Sequence, residues 1–306
     1  MLHFLRTTTH LAVALALTTT LLAPVQAADA APEVDRLSGP DRVATAAAVA
    51  RDAFPDGAET VVMAGREGIA DALAGAVLAR EVGGPILLVD QDRVAGPVRE
   101  ALHDLGAQRI VLLGGRAVIS DAVAAELAEG FDVQRVAGQD RFATAAAIAE
   151  RVSGGQIEGH RTVLLGGGSA YPEVLAAAPL SHVGGAPILL TNGTHLSSAT
   201  AASISRLDPD RLIILGGEGR VSHAVAQQVS ELGGEVRRIA GANPLDSARA
   251  IADSLVRDFG FDPAEVILAR GDDVGDAVAG GVLAGVRNAP IALAESPSSL
   301  GPAEGM

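Results

Sequence analysis

One fifteen-residue pattern occurs twice in this chain, and a weaker copy occurs a third time. The segment RLSGPDRVATAAAVA starts at Arg36 and RVAGQDRFATAAAIA starts at Arg135, with ten of the fifteen positions identical. The weaker copy, RIAGANPLDSA, starts at Arg238. Because this period is far longer than the 20–50 residues of solenoid repeats, the pattern indicates tandem copies of one small domain.

Other blocks keep the same order in each copy. TVVMAGREGIADAL (60–73) matches TVLLGGGSAYPEVL (162–175) and EVILARGDDVGDAV (265–278), and GGPILLV (83–89) matches GGAPILLT (184–191) and NAPIALA (288–294). RIVLLGGRAVISDAV (109–123) matches RLIILGGEGRVSHAV (211–225) and has no third copy. We therefore predict four segments: a signal peptide at 1–27, repeat one at 28–134, repeat two at 135–237 and an incomplete repeat three at 238–306.

Within a repeat, short apolar runs alternate with alanine-rich stretches of helical spacing. In repeat one this pattern predicts strands near 34–37, 60–64, 85–89 and 109–113, and helices near 41–54, 69–82, 95–105 and 120–129. Strands that alternate with helices form parallel sheets covered by helices on both faces. The sequence therefore predicts an α/β fold of three tandem Rossmann-like domains, the third truncated.

The N-terminus is typical of an exported protein. Arg6 precedes an apolar run from Leu11 to Ala23, which is too short to span a bilayer comfortably, and Val25-Gln26-Ala27 fits a cleavage site. Cleavage would change the net charge from −14 to −15. Such an acidic surface disfavours nonspecific binding to nucleic acid or anionic lipid. We expect a secreted protein with no nucleic-acid partner and no membrane span after cleavage.

The composition excludes several kinds of chemistry. The chain has no Cys and no Lys, so disulfides, thiolate metal sites and a Walker-A loop are impossible. No GxSxG or HExxH motif occurs, and Gly166-Gly167-Gly168-Ser169 does not keep dinucleotide-binding spacing. The five His residues beyond the signal peptide do not recur between repeats. We therefore expect neither an enzyme nor a bound cofactor.

Ligands of open α/β sheets bind beyond the carboxyl ends of the strands. Glycines there allow close approach, helix N-termini favour anionic oxygens, and Arg can bind carboxylate or phosphate in a bidentate way. The candidate ligand-binding residues in these turns are Gly39, Asp41, Arg42, Arg66, Asp71, Gly114, Gly115, Arg116, Gly138, Asp140, Arg141, Gly216, Gly217 and Arg270.

A structural interpretation of the same turns stays open. Asp41 and Asp140 open helices, where an acid stabilises the first turn by itself. The Asp-Arg dipeptide also fits a salt bridge between one repeat and the next. Near Arg270, the acids Asp272, Asp273 and Asp276 are weak candidates for a divalent cation site, or they are acids at a helix N-terminus.

The pattern R-[LIV]-[SA]-G-x-D-R-x-x-T-A, followed by ADAL, PILL and LGG…S-x-A-V, resembles the cell wall binding repeat type 2 family. The resemblance covers residues 34–306. It implies a noncovalent anchor that holds exported proteins of Gram-positive bacteria to anionic wall polymers, with three domains in a triangular arrangement. The partner so implied is an anionic cell-wall polysaccharide or secondary wall polymer, bound by several weak sites whose linkage adds avidity.

Repeat three departs from the family pattern. It has Asn243-Pro244 in place of Asp-Arg, and its missing final quarter indicates a degenerate unit, a truncated gene or completion by an adjacent chain. The family usually carries a separate effector domain, and none is visible. Two alternatives to wall binding remain: a self-associating structural surface protein, and an enzyme acting on a wall glycan or nucleotide-sugar.

Overall fold

The structure, a computed structural model, describes residues 33–273, 275 and 277–304. The signal peptide predicted at 1–27 and the acid Asp276 lie outside the described residues. Residues 33–36 are exposed and belong to no helix or strand, and the chain from Leu37 onward forms one compact unit. Within this described part, no helix is long and apolar enough to cross a membrane.

The first repeat alternates helices and strands as predicted. Its elements are α1 Arg42–Ala53, β1 Thr60–Gly65, α2 Ile69–Ala74, α3 Ala76–Val82, β2 Ile86–Val89, α4 Gly96–Asp104, β3 Arg109–Leu113 and α5 Asp121–Ala128. The helix predicted near 69–82 divides at Gly75, where the Leu113 side chain leaves no room for a Cβ. The other predicted helices and the strands near 60–64, 85–89 and 109–113 are confirmed.

The second and third repeats repeat this order. The next elements are β4 Asp132–Val136, α6 Arg141–Ala149, β5 Gln156–Ile157, β6 His160–Gly167, α7 Tyr171–Gly184, β7 Ile188–Thr191, α8 Ser198–Leu207, β8 Arg211–Leu215 and α9 His223–Glu231. The last are β9 Glu235–Ile239, α10 Pro244–Phe259, β10 Ile267–Arg270, α11 Val278–Val286, β11 Ile291–Ala294 and a 3₁₀ turn at Gly301–Ala303.

The predicted parallel sheets flanked by helices are present. One sheet has the order β2-β1-β3-β4 and a second contains the matching order β7-β6-β8-β9, all parallel. The short β5 adds an antiparallel hairpin to β6, and β10 pairs in parallel with β11. Every residue of β1 and β2 is buried, as a sheet covered by helices on both faces requires.

The last strand of each complete sheet crosses the boundary between two sequence repeats. β4 begins three residues before repeat two and pairs with β3, and β9 begins three residues before repeat three and pairs with β8. The strand predicted near 34–37 is wrong, because residues 33–40 form no strand. The corresponding segments at the starts of repeats two and three become strands by pairing with β3 and with β8.

The three repeats pack in a ring. The central helices are α2 and α3 in repeat one, α7 in repeat two and α11 in repeat three. Helix α7 packs against α2, α3 and α11, and α11 packs against α2 and α3, so each repeat contacts the other two. The opening helix of each repeat then packs on a neighbour: α1 on α11, α6 on α2, and α10 on α7. The triangular arrangement implied by the family resemblance therefore matches the contacts of residues 37–304.

Candidate functional site

The repeated glycine of the opening motif serves a helix cap. The Gly39 amide donates to Thr45 Oγ1 at 3.0 Å, Gly138 donates to Thr144 Oγ1 at 3.1 Å, and Gly241 donates to Ser247 Oγ at 2.9 Å. A Cβ on Gly39 would lie 2.6 Å from the backbone carbon of Ala44, and the other two glycines are equally close to their helices. The motif needs glycine because the chain folds back onto the first helical turn.

The acid of the same motif is the N-cap residue. Asp41 Oδ1 accepts from the Ala44 amide at 2.9 Å and Asp140 Oδ1 accepts from Ala143 at 2.8 Å. Asn243 makes the same bond in repeat three. A side-chain oxygen here satisfies one of the helix's free amides. The structure therefore places both acids at the helix starts, as the structural interpretation expects.

Arg42 reaches from repeat one to repeat three. Its Nη1 donates to the Arg66 carbonyl at 3.2 Å, and its Nη2 lies 3.3 Å from Asp273 Oδ1. Its charge also lies 3.8 Å from the exposed Glu67. The side chain is mostly buried by these contacts. Arg42 thus joins the second turns of two repeats.

Arg141, its counterpart in repeat two, makes similar contacts. Its Nη1 donates to the Gly168 carbonyl at 2.7 Å and to the Tyr171 hydroxyl at 2.9 Å. Its positive charge acts on the carboxyl of Asp71 in repeat one. Both Asp-Arg dipeptides therefore lie where two repeats meet, and we call Arg42 and Arg141 the clamp arginines.

Two corresponding acids lie buried beneath these turns. Asp71 is 7% exposed and Glu173 is fully buried. Burial raises the pKa of Asp71 to about 6 although the Arg141 charge lowers it, and burial also raises the pKa of Glu173 against the opposing effect of Arg220. One oxygen of each has no hydrogen-bond partner among the described residues.

The two acids have different compensating charges. Arg220 Nε donates to Glu173 Oε1 at 3.3 Å within repeat two. The corresponding residue of repeat one is Val118, and there Arg141 of the next repeat supplies the charge. Repeat three offers Pro244 instead of an arginine at the position of Arg141. Arg220 therefore supplies to Glu173, from within repeat two, the positive charge that Asp71 receives from the clamp arginine of the next repeat.

The paired glycines after β3 and β8 form the third turn. Gly114 and Gly216 both have a φ of +92°, which only glycine adopts easily. The Arg135 guanidinium donates to the Gly114 carbonyl at 2.8 Å, and Arg238 donates to the Gly216 carbonyl at 2.7 Å. These two arginines were not among the residues predicted for the site, although each opens a copy of the repeat motif.

Arginines also follow three neighbouring strands of the first sheet. Arg66 follows β1, Arg93 follows β2 and Arg116 follows β3, and Arg116 is 80% exposed. Because β2, β1 and β3 are adjacent and parallel, all three arginines lie at the edge of the sheet formed by the carboxyl ends of the strands. We call these three arginines the repeat-one rim. Arg93 was not predicted from the sequence, where only its place after a strand could have indicated it.

The rim arginines are partly neutralised by acids. Asp90 accepts from Arg66 at 2.9 Å and from Arg93 at 2.8 Å. Burial raises the pKa of Asp90, but the bonds from Arg93 and Arg66 outweigh it and hold the pKa below its ordinary value. Arg116 pairs with Asp121 at 2.9 Å. Beside Arg116, a Cβ on Gly115 would meet nothing within 4 Å, so this turn opens to solvent.

The remaining candidates lie apart from the rim. Gly217 follows Gly216 in the turn after β8. Arg270 binds Asp272 in a bidentate way, with both distances 3.0 Å, and Asp273 accepts from Arg42 and from the Gly275 amide. Among residues 33–273, 275 and 277–304 there is no group of three acids or histidines able to hold a metal ion. Both described acids of the weak cation site are therefore bonded to protein groups.

Comparison with known proteins finds two similar proteins in Bacillus subtilis. The chain is 27% identical to N-acetylmuramoyl-L-alanine amidase LytC of Bacillus subtilis over 85% of its length and 50% of the relative's. It is 24% identical to the Amidase enhancer of the same organism, over 86% of this chain and 35% of that protein. The chain thus spans half or less of the length of these two curated relatives.

Solved structures agree with the fold. Cwp8 from Clostridium difficile matches with a TM-score of 0.74 and 26% identity, over 84% of this chain and 44% of that chain. Cwp6 from the same organism matches with a TM-score of 0.76 at 21% identity, over 88% and 44% of the two chains, and supports the fold alone. The family profile of Cell wall binding domain 2 (CWB2) matches residues 36–124, 135–226 and 238–304. The three repeats, their ring of contacts and this match together establish that the chain belongs to the cell wall binding domain 2 family.

Proposed function

We propose that the chain attaches noncovalently to an anionic polymer of the Gram-positive cell wall and that the repeat-one rim makes the contact. The observation that carries the proposal is the family match over all three repeats. Membership supports wall binding and a place at the cell surface. The anionic chemistry of the polymer and the residues that touch it are our own inference from the arginines of the sheet edge.

The rim is a better ligand surface than the clamp arginines. Arg42 and Arg141 are occupied by carbonyl, hydroxyl and carboxylate groups of the protein itself. Arg93 and Arg116 are largely exposed, with 71% and 80% of their side-chain surfaces open. Exposed guanidinium groups bind phosphate or carboxylate oxygens at little desolvation cost. Each has one acidic partner, which a more highly charged polymer would have to displace.

The rim is confined to repeat one. Repeat two has Gly168 at the position of Arg66 and Glu218 at the position of Arg116. After β7 it has Asn192, whereas Arg93 follows β2 in repeat one. At this edge of the first sheet the chain, whose net charge is −14, therefore presents three arginines, each paired with at least one acid. Local attraction at that edge acts within about a Debye length, so we expect binding to weaken as salt rises.

We further propose that the protein has no catalytic role. Its relative named as an amidase is about twice as long as the matched region, so that activity need not belong to the shared repeats. A screen for release of sugar or peptide from purified walls tests this point. Reproducible turnover by the purified chain would support the enzyme alternative instead.

We also propose the export signal and the domain division expected from the sequence. Residues 1–27 would be removed, leaving repeats at 28–134, 135–237 and 238–306. The mature N-terminus would then be Ala28. Mass spectrometry of the exported protein tests this, and an intact N-terminus in the secreted fraction would contradict it.

The test of the proposed function is retention on purified wall sacculi. One half of the preparation is stripped of secondary polymers by mild acid, and each half is incubated with the protein with and without EDTA. We expect retention only on the unstripped walls, unchanged by EDTA. Loss of retention in EDTA would favour cation bridging, and equal retention on stripped walls would exclude the anionic polymer as the ligand.

A further inference from the structure

Repeat two has an asparagine where repeat one has an acid. The residue after β2 is Asp90 and the residue after β7 is Asn192. The backbones of the two turns correspond, because the next residue in each accepts a hydrogen bond from the N-cap serine of α5 or α9, at 2.9 and 2.8 Å. Asp90 and Asn192 therefore occupy equivalent positions at the carboxyl ends of their strands.

The residue after Asn192 is Gly193, which leaves the asparagine side chain open to attack by the next backbone nitrogen. A glycine has no side chain to hinder the approach of its amide nitrogen to Cγ of the preceding asparagine. The fold favours glycine here, because a Cβ on Gly193 would lie 2.9 Å from the Arg220 carbonyl oxygen. Among the residues that the structure describes, no acceptor binds the Gly193 amide, so its nitrogen is available as a nucleophile.

Thr194 binds the oxygen that would become negative in such an attack. Its backbone amide and its hydroxyl both donate to Asn192 Oδ1, each at 3.0 Å. A backbone amide can only donate, which identifies the accepting atom as the oxygen of the side-chain amide. When a nitrogen adds to Cγ, this oxygen takes up negative charge. Two donors already aimed at it stabilise the intermediate, as in an oxyanion hole.

We propose that Asn192 is a self-modification site, which loses its side-chain amide with the help of Thr194. The Gly193 nitrogen bonds to Cγ, and the bond from Cγ to Nδ2 breaks. The leaving nitrogen takes the proton of the Gly193 amide and departs as ammonia. A water molecule then opens the cyclic imide at one of its two carbonyls. The product is aspartate or isoaspartate at position 192, and either product carries one more negative charge than the asparagine.

The aspartate product gives repeat two the acid that repeat one has at Asp90. In repeat one Arg66 and Arg93 donate to that acid. Repeat two has Gly168 at the position of Arg66, so the new carboxylate lacks this partner and adds to the negative charge of the chain. The step consumes only water and is irreversible, so the converted fraction rises with the age of the protein. It is independent of wall binding, because the repeat-one rim takes no part in it.

The test follows the purified full chain over time at neutral pH by peptide mass spectrometry. The asparagines of the chain are Asn192, Asn243 and Asn288, followed by glycine, proline and alanine. We expect a first-order gain of about 1 Da at Asn192 with release of ammonia, and labelling of the product by an isoaspartyl methyltransferase. Asn243 should not change, because proline has no amide proton. Asn288 should change more slowly than Asn192, because the alanine methyl group hinders ring closure.

Variants of Thr194 test the role of the fold. Thr194→Val removes the hydroxyl donor and keeps the backbone amide, so it should slow conversion about two- to tenfold, the equivalent of one hydrogen bond. Thr194→Ser keeps the hydroxyl and should convert nearly as fast as the unaltered chain. In urea, where the turn is unfolded, all three proteins should convert at the same rate.

Two results would overturn the proposal. The first is the absence of a mass gain at Asn192 in the folded chain over the time in which the urea-unfolded chain converts. The second is a folded Thr194→Val variant, checked by circular dichroism, that converts as fast as the unaltered chain or faster.

Discussion

Arg42 and Asp273 lie 231 positions apart in the chain, and their side chains meet at 3.3 Å. The contact joins the opening helix of repeat one to the second turn of repeat three. This contact explains why the repeat motif contains an arginine whose side chain is mostly buried. The acid of the repeated Asp-Arg dipeptide caps a helix, and its arginine acts on an acid of a neighbouring repeat, by an ion pair at Arg42 and through its charge at Arg141.

Replacing Arg42 by Gln should destabilise the protein. The pair is partly exposed, so screening limits the loss to about 1 kcal/mol. Urea unfolding followed by circular dichroism measures it. The control is Arg51→Gln, which removes an exposed pair with Asp104 inside repeat one. If both variants unfold at the same urea concentration, Arg42 does not act as a clamp.

Replacing Arg220 by Val should cost more, because it leaves the fully buried Glu173 without its cation. Removing one partner of a buried pair typically costs about 3–5 kcal/mol, with the lower end expected here since Arg220 is partly exposed. The second substitution Glu173→Gln removes the uncompensated charge and should restore much of the loss. A double-mutant cycle of unfolding free energies measures the coupling. Additive effects of the two changes would show that the residues do not interact.

Asp71 should make stability depend on pH. Its pKa is raised from 3.8 to about 6 in the folded protein. A carboxyl with a higher pKa when folded binds its proton more tightly in that state, so stability is lost as the pH rises from about 4 through 6. Asp71→Asn removes this loss. Relative to the unaltered chain, the variant should gain up to about 3 kcal/mol between pH 4 and pH 7.5.

Thermal unfolding of both proteins at four pH values in that range measures the difference. Other titrating groups, including the buried His182 whose pKa burial lowers, are common to the two proteins and cancel. Parallel stability curves for the two proteins would contradict the assignment.

Gly114 and Gly115 are neighbours with opposite expected tolerance to alanine. At Gly114 the φ is +92° and a Cβ would collide with Asp71 Oδ2, whereas the space at Gly115 is open. Gly114→Ala should therefore cost about 1–3 kcal/mol and Gly115→Ala close to nothing. Melting temperatures of the two variants give the comparison. Equal melting temperatures would mean that the turn relaxes around the added methyl group.

Much of the fold followed from the sequence because the repeats mark their own elements. The apolar runs and glycine-ended blocks predicted three of the four strands of repeat one and all its helical segments, but not the division of residues 69–82 into two helices. The fourth prediction failed because a sequence repeat gives the period of a pattern but not the sheet that a strand joins. Arg135 and Val136 belong to the sheet of repeat one, although they open the sequence motif of repeat two.

The candidate site was harder to predict. The motif drew attention to Asp41, Arg42 and their counterparts, but whether an arginine faces a ligand or a neighbouring repeat depends on contacts between distant segments. The pairing of Glu173 with Arg220 depends on such a contact too. Residues after strands, such as Arg93, carry no motif at all, so only the strand order brings them to one edge.

Wall retention of arginine variants tests the central claim most directly. The rim variant is Arg93→Gln with Arg116→Gln. The control is Arg151→Gln with Arg206→Gln in repeat two, which removes equal charge just after α6 and near the end of α8. Circular dichroism first establishes that all the proteins are folded. We then predict that unstripped sacculi retain the control as they retain the unaltered chain, and that they retain much less of the rim variant. Normal retention of the rim variant would contradict the account.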